Sequence, residues 1–130
     1  MDTNIVDFKG LKFKYFLGDL LGSNSIGKNK SWEDHISNFV TKYNEKYNLR
    51  NVIDVGANFG YHTVFFSKLA SHVYAFEPQI QNYQLLQSNI NLNNIDNVTI
   101  YNNACGDEDI NVNLPIMPTN IRNWNMGDFT

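Results

Sequence analysis

Apolar and charged side chains alternate strictly near the start of the chain, where Leu11, Phe13 and Tyr15 are interleaved with Lys12 and Lys14. A period of two predicts a half-buried strand or hairpin within residues 8–21. The lysine face reads as a solvated edge that discourages unwanted pairing, in preference to a basic binding ribbon. Residues 22–30 are polar with two glycines, hence a loop. Ser31 followed by Trp32, Glu33 and Asp34 resembles a capping box, and Ile36, Phe39, Val40 and Tyr43 come behind it at helical spacing. A helix is therefore expected over 32–47, with that stripe inward. From Asn51 the pattern changes. Val52, Ile53 and Val55 form a short apolar run that stops at Gly56, as expected of a strand buried on both faces. Tyr61, Val64, Phe65 and Leu69 mark one face of a helix. Residues 73–76 read as a second buried strand ended by Glu77 and Pro78. The proline suits the first turn of a helix whose inner side carries Ile80, Tyr83, Leu86 and Ile90. Residues 98–101 form a third strand, Val112, Leu114 and Ile116 suggest a short further one, and 117–130 show no period.

Strand, helix, strand, helix, strand implies a parallel sheet with right-handed crossovers. The expected fold class is α/β: the βαβαβ mononucleotide-binding half of a Rossmann-like, doubly wound sheet. Residues 1–50 supply the preceding hairpin and helix, and 51–130 the ligand-binding half.

Composition narrows the function. The chain of 130 residues is 42% hydrophobic and 18% charged, enough for one modest domain or part of a larger one. Ten Lys and Arg against thirteen Asp and Glu leave a net charge of −3. Nucleic-acid binding by phosphate neutralisation has no footing in that balance. A single cysteine, Cys105, excludes an internal disulfide and a Cys-rich zinc site. His35, His62 and His72 lack the i, i+4 pairing of a helical metal site, so no metal is expected. The 21 Asn are scattered, not run together as in a prion-like tract. No apolar run approaches the ~18 residues of a membrane span, and the first residues lack a basic and apolar leader. A soluble, cytoplasmic protein away from the membrane is the expectation.

In an open parallel sheet, ligands bind beyond the carboxyl ends of the strands. Three such ends are legible: Asp54-Val55-Gly56-Ala57-Asn58-Phe59-Gly60, Glu77-Pro78 and Asn103-Ala104-Cys105. A dinucleotide site needs glycines spaced G-x-G-x-x-G. Counting from Gly56, Asn58 and Tyr61 stand at the second and third places, where a side chain obstructs a pyrophosphate and close helix packing. Asp54 at this turn would repel phosphate and attract a cation. Glu77, ending the second strand, can accept hydrogen bonds from both ribose hydroxyls. A phosphate-free nucleoside with a positive end, such as S-adenosylmethionine, fits this pattern better than NAD. Cys105 has no apparent base partner and reads as a small rim residue, not a nucleophile. Trp32 and Glu33 could cap the pocket, although helix capping and core packing explain them equally well. The absence of a Gly-Lys-Ser/Thr loop disfavours nucleotide hydrolysis.

Val52-Ile53-Asp54-Val55-Gly56-Ala57-Asn58-Phe59-Gly60, then Val73-Tyr74-Ala75-Phe76-Glu77-Pro78, then Asn102-Asn103-Ala104-Cys105-Gly106-Asp107 resemble the FkbM family of S-adenosylmethionine-dependent methyltransferases over roughly residues 50–115. The resemblance implies that Asp54, Gly56, Asn58 and Gly60 surround the methionine part of the cofactor, with Ala57 in the same turn. It implies that Glu77, beside Pro78, holds the ribose and that Asn103 and Ala104 lie against the adenine. It also implies a sugar or small-molecule hydroxyl as acceptor. Family members continue into further strands with an acidic Asp-x-Glu-Gly-type motif, which this sequence lacks. The expectation is the N-terminal half of a methyltransferase, completed by a downstream segment or a second chain. An inactive cofactor-binding module and, less favoured, a dinucleotide-dependent oxidoreductase are the alternatives.

Overall fold

The computed structural model describes residues 2–118. The chain opens with an antiparallel hairpin, β1 (Thr3–Phe8) and β2 (Leu11–Phe16), closed by a two-residue turn at Lys9 and Gly10 with φ of 52° and 77°. Positive φ at both positions matches the right-handed twist of the strands. A short helix α1 (Leu20–Asn24), a 3-10 turn (Ile26–Lys28) and a longer helix α2 (Asp34–Tyr47) follow. Then come β3 (Asn51–Val55), α3 (Tyr61–Ser67), β4 (His72–Phe76), α4 (Ile80–Leu92) and β5 (Val98–Tyr101). The last three strands form a parallel sheet in the order β3-β4-β5, with Asp54 opposite Ala75 and Ala75 opposite Ile100. This is the predicted βαβαβ unit. No helix among the described residues is long and apolar enough to cross a membrane.

The core lies on one side of the sheet. Phe13, Ile26, Phe59, Val64, Ala75 and Leu86 are each at most 1% exposed and join one apolar cluster. A smaller cluster of Phe66, Ala70 and Val73 receives Ile36 and Val40 of α2. Asparagines close the free edge of β2. The Asn89 side chain accepts from Lys14 N–H at 2.6 Å and donates to Lys14 C=O at 3.0 Å. One helical turn on, Asn93 repeats the pattern with Lys12 at 2.8 and 2.7 Å. Two amides on one face of α4 thus stand in for the peptide groups of a missing strand, satisfying backbone that would otherwise be an edge.

Several expectations require correction. β3 is not buried on both faces: Val52 packs inward, whereas Ile53 and Val55 on the opposite face are 68% and 61% exposed. α2 begins at Asp34, not Trp32, and no residue of it is fully buried. Of its expected inner stripe only Ile36 and Val40 pack inward. Phe39 is 68% exposed and stacks along the surface with Tyr43 and Tyr47. α2 meets the body along a narrow seam, through Ile36 and Val40 against the small cluster around Phe66, Ala70 and Val73, which is too narrow to cover a stripe of aromatics. On α4 the buried positions are Asn82, Leu85, Leu86, Asn89 and Ile90, whereas Ile80 is exposed because it starts the helix beyond the sheet rim. Pro78 precedes α4 instead of entering its first turn; Gln79 is the cap, its side chain accepting from Gln81 N–H and Asn82 N–H. Residues 112–116 form no strand. They run irregularly beside α4, where the Gln79 and Gln81 side chains bond Pro115 C=O and Met117 N–H. Residues 119–130, the end of the span assigned to the ligand-binding half, lie outside the described residues.

Candidate functional site

The loop after β3 folds tightly because its own backbone donors are consumed locally. Gly56 N–H and Ala57 N–H both donate to Phe76 C=O at 2.9 and 3.0 Å. Asn58 N–H donates to Glu77 Oε2 at 2.8 Å, Phe59 N–H to Asn58 Oδ1 at 2.8 Å, and Gly60 N–H to Ala57 C=O at 2.9 Å. Gly56, Asn58 and Gly60 all have positive φ, between 54° and 93°. Glycine and asparagine tolerate this region best. Glu77 is 1% exposed, and Gln79 N–H donates to its Oε1 at 2.9 Å. Asn102 Nδ2 donates to Glu77 C=O and Pro78 C=O at 2.9 and 3.0 Å, tying the end of β5 to that of β4.

Two adjoining hollows result, sharing Gly56 and Asn58. The first, of about 210 Å³, is further lined by Glu77, Pro78, Asn103 and Ala104. The second, of about 110 Å³, is lined by Asp54 and Ala57 together with Trp32, Glu33, Tyr61 and His62. Gly60 lines neither. A Cβ there would come within 2.6 Å of Leu86 Cδ1, so this glycine lets α3 start close against α4. Phe76, part of the second motif, and Asn82, which had no signal in the motif reading, also line the larger of these two hollows. Asn82 is fully buried near Glu77, and among the described residues neither of its amide atoms has a hydrogen-bond partner. Only the phase of α4 could have pointed to it.

Both acids are shifted in the same direction. Burial pushes the Asp54 carboxyl above its usual range, partly offset by the 2.6 Å hydrogen bond from Thr63 Oγ1 and by nearby His62. Burial also pushes Glu77 up, against the pull of the Gln79 and Asn58 N–H groups and the nearby Asn82 amide, with the charge of Asp54 adding to the rise. The two carboxylates therefore feel each other across the shared Gly56–Asn58 ridge. Each holds its proton more tightly in the folded chain than in the unfolded one. The resulting stabilisation is complete below the ordinary carboxylate range and is lost as pH rises through the raised values. Asp54→Asn should consequently raise stability at neutral pH and flatten its decline with rising pH. Denaturant midpoints across the acidic-to-neutral range would check this; a variant as pH-sensitive as the parent would refute it.

Residues 54–123 match the model of the Methyltransferase FkbM domain, more than half of the chain. The chain belongs to the FkbM methyltransferase family. Among solved structures it is similar to Trm5b from Pyrococcus abyssi, with 22% identity over 75% of this chain and 27% of that one, at a TM-score of 0.52. It is also similar to PH0793 from Pyrococcus horikoshii, with 17% identity over 78% and 36% of the two chains, at 0.51. The Streptococcus mutans protein SMU.1697c, solved in complex with SAH, matches with 28% identity over 58% and 42%, at 0.49. No curated protein matches this member of the family. The chain spans about 27–42% of the length of these solved structures. At such identities the likeness of the first two establishes the shared Rossmann-like fold, in agreement with the parallel β3-β4-β5 sheet.

Proposed function

We propose that this chain is the cofactor-binding part of an S-adenosylmethionine-dependent O-methyltransferase acting on a hydroxyl of a sugar or other small molecule. One observation supports the cofactor above all: the five N–H groups from Gly56 to Gly60 already have partners within the protein. A dinucleotide site depends on free loop N–H groups to cradle a pyrophosphate. Here that cradle is spent and carboxylates, Asp54 and Glu77, border the turn, with no Lys or Arg among the described residues lining either hollow, which suits a phosphate-free cationic nucleoside. Glu77, fixed through both oxygens, keeps lone pairs to accept from ribose hydroxyls. Asn103 and Ala104 would border the base, and Asp54 with the Gly56–Asn58 turn the methionine end. The cofactor supplies an electrophilic methyl group on a sulfonium; what these residues do is hold and orient it.

Catalysis would also require the rest of the crevice. Among the described residues β3 pairs only with β4, and it exposes Ile53 and Val55 on the open face of the sheet. The unpaired edge of β3 supports addition of a further strand, and the exposed apolar face supports a covering layer, from a further segment or a second chain.

Side-by-side calorimetric titration with S-adenosylhomocysteine and NAD tests the reading. Binding of S-adenosylhomocysteine with NAD weaker or undetected is expected, and tighter NAD binding would overturn the proposal in favour of an oxidoreductase. Binding without methyl transfer to any offered hydroxyl, even with the sheet completed, would favour an inactive module.

A further inference from the structure

A further hollow, of about 400 Å³, lies between the hairpin turn, α2 and α3. Its walls are the rings of Phe8, Phe13, Tyr61 and Phe65, with Leu11 beside them. Phe8 and Phe13 are buried, and their ring centres stand 6.3 and 5.7 Å from that of Tyr61, tilted by 47° and 34°. Rings packed against one another in this way form a stiff apolar slot. The polar lining is Lys9, Lys68, Asp34 and Ser37. Lys9 takes a positive φ in the β1–β2 turn, a place where Asn, Asp or Gly is usual, so turn chemistry does not account for a lysine there. Its Nζ lies 5.2 Å from the centre of the Phe8 ring, which keeps the ammonium close to the aromatic wall. Lys68 follows the last turn of α3. Among the described residues neither ammonium forms a salt bridge, and the Asp34 carboxylate already accepts from the Ser31 hydroxyl at 2.8 Å.

We propose that this hollow is a binding site for a flat aromatic carboxylate, a small organic anion of one or two rings. Two ammonium groups against one carboxylate leave its lining net positive, on a chain whose overall charge is −3. An anion is the complement of that lining. Aromatic walls favour a planar apolar body, which stacks or meets them edge-on, over a strongly hydrated one. The volume falls within the range of about 300–1,000 Å³ usual for small-molecule pockets. Lys9 and Lys68 are both exposed. The ligand's charge therefore stays at the wet mouth while its ring goes inward, and no ion is buried without a partner. The site stands apart from the cofactor reading: it shares only Tyr61 with the smaller of the two hollows at the strand ends, and neither Asp54 nor Glu77 borders it.

Titration of the isotope-labelled chain with 2-naphthoate, its neutral analogue 2-naphthamide and inorganic phosphate, followed by backbone amide chemical shifts, tests the proposal. Saturable shifts with 2-naphthoate are expected at residues 8–13, 34–37 and 61–68, with binding about fivefold or more tighter than for the amide. Lys9→Gln and Lys68→Gln should each weaken 2-naphthoate by up to about fivefold, as for an exposed ion pair, and by about tenfold together. Both should leave 2-naphthamide within about twofold. Neither exposed lysine supports the core, so both variants should fold as the parent does. Ser37→Phe, which fills the hollow from α2, should weaken both aromatic compounds alike. A parent without preference for the acid, a double lysine variant that keeps the preference, or a folded Ser37→Phe protein that binds 2-naphthoate as before would each overturn the proposal. Phosphate shifts as large as those of 2-naphthoate would overturn it too, since they would mean bare ion attraction, as would shifts confined to the exposed Ile53 and Val55 face. Shifts at the same residues that grow with protein concentration before any compound is added would assign the hollow to a second copy of the chain and likewise overturn it.

Discussion

Asn89→Ala is expected to destabilise the fold by about 2–4 kcal/mol, the largest effect we foresee for any single polar truncation. Asn89 is fully buried, and its amide makes three contacts at once: with Lys14 N–H, with Lys14 C=O, and with Phe59 C=O at 2.7 Å. Truncation orphans a carbonyl in the apolar core and both backbone groups of a strand edge. It also opens a gap between α4, β2 and the start of α3. Against a total stability of about 5–15 kcal/mol for a small domain, such a loss would populate unfolded chain visibly near physiological temperature. Urea unfolding should show the midpoint falling by about 1–2 M with an unchanged slope. Asn93→Ala is the internal comparison. It removes the parallel pair of bonds to Lys12, but these lie at the surface where water replaces them. A cost several-fold smaller is expected there. Equal costs for the two variants would show that the strand-like pairing, and not the buried carbonyl, dominates.

Glu77→Ala should weaken S-adenosylhomocysteine binding about 10- to 100-fold, as expected for loss of charge-assisted hydrogen bonds to a diol. The structure gives this substitution a second consequence. The Glu77 carboxylate is also the acceptor for Asn58 N–H and Gln79 N–H, so it fixes the turn after β3 and the entry to α4. Glu77→Gln cannot restore both bonds, because its amide nitrogen would face one of the two N–H groups. Binding should therefore be measured below the melting transition of each variant, with the unfolding midpoint recorded alongside. Unchanged affinity in a folded Glu77→Ala protein would remove the ribose assignment. A fall in affinity without any fall in stability would mean that the loop does not depend on the carboxylate for its shape.

The candidate site was legible to an unusual degree, because most of its chemistry is written in loops next to strands. Asp54, Gly56, Ala57, Asn58, Glu77, Pro78, Asn103 and Ala104 all border the two adjoining hollows, and each sits at or just beyond a strand end. Gly60 was read as part of the turn around the ligand, yet its close neighbour is Leu86. A glycine spacing shows where a side chain is unwelcome without showing what occupies the space. Asn82 was not recoverable as a site residue, because it looks like any polar residue of an amphipathic helix, whereas Trp32 and Glu33 were legible as a cap of the pocket only on equal terms with helix capping and core packing.

By itself, then, the sequence determined not the short helix and 3-10 turn that occupy most of the expected loop over 22–30, but the parallel βαβαβ arrangement of residues 51–101, the family and the acids at the strand ends. These depend on local periodicity and on residues close together along the chain. Only the tertiary structure decided which faces are covered. Ile53 and Val55 look identical to core positions in one dimension but stand exposed, and Phe39 and Tyr43 of α2 do the same. It also decided that asparagines of α4 complete the edge of a hairpin some 75 residues earlier in the chain. The physical reason is common to all three: an apolar or amide side chain states what it can bury or bond, whereas its partner is set by packing between segments distant in sequence.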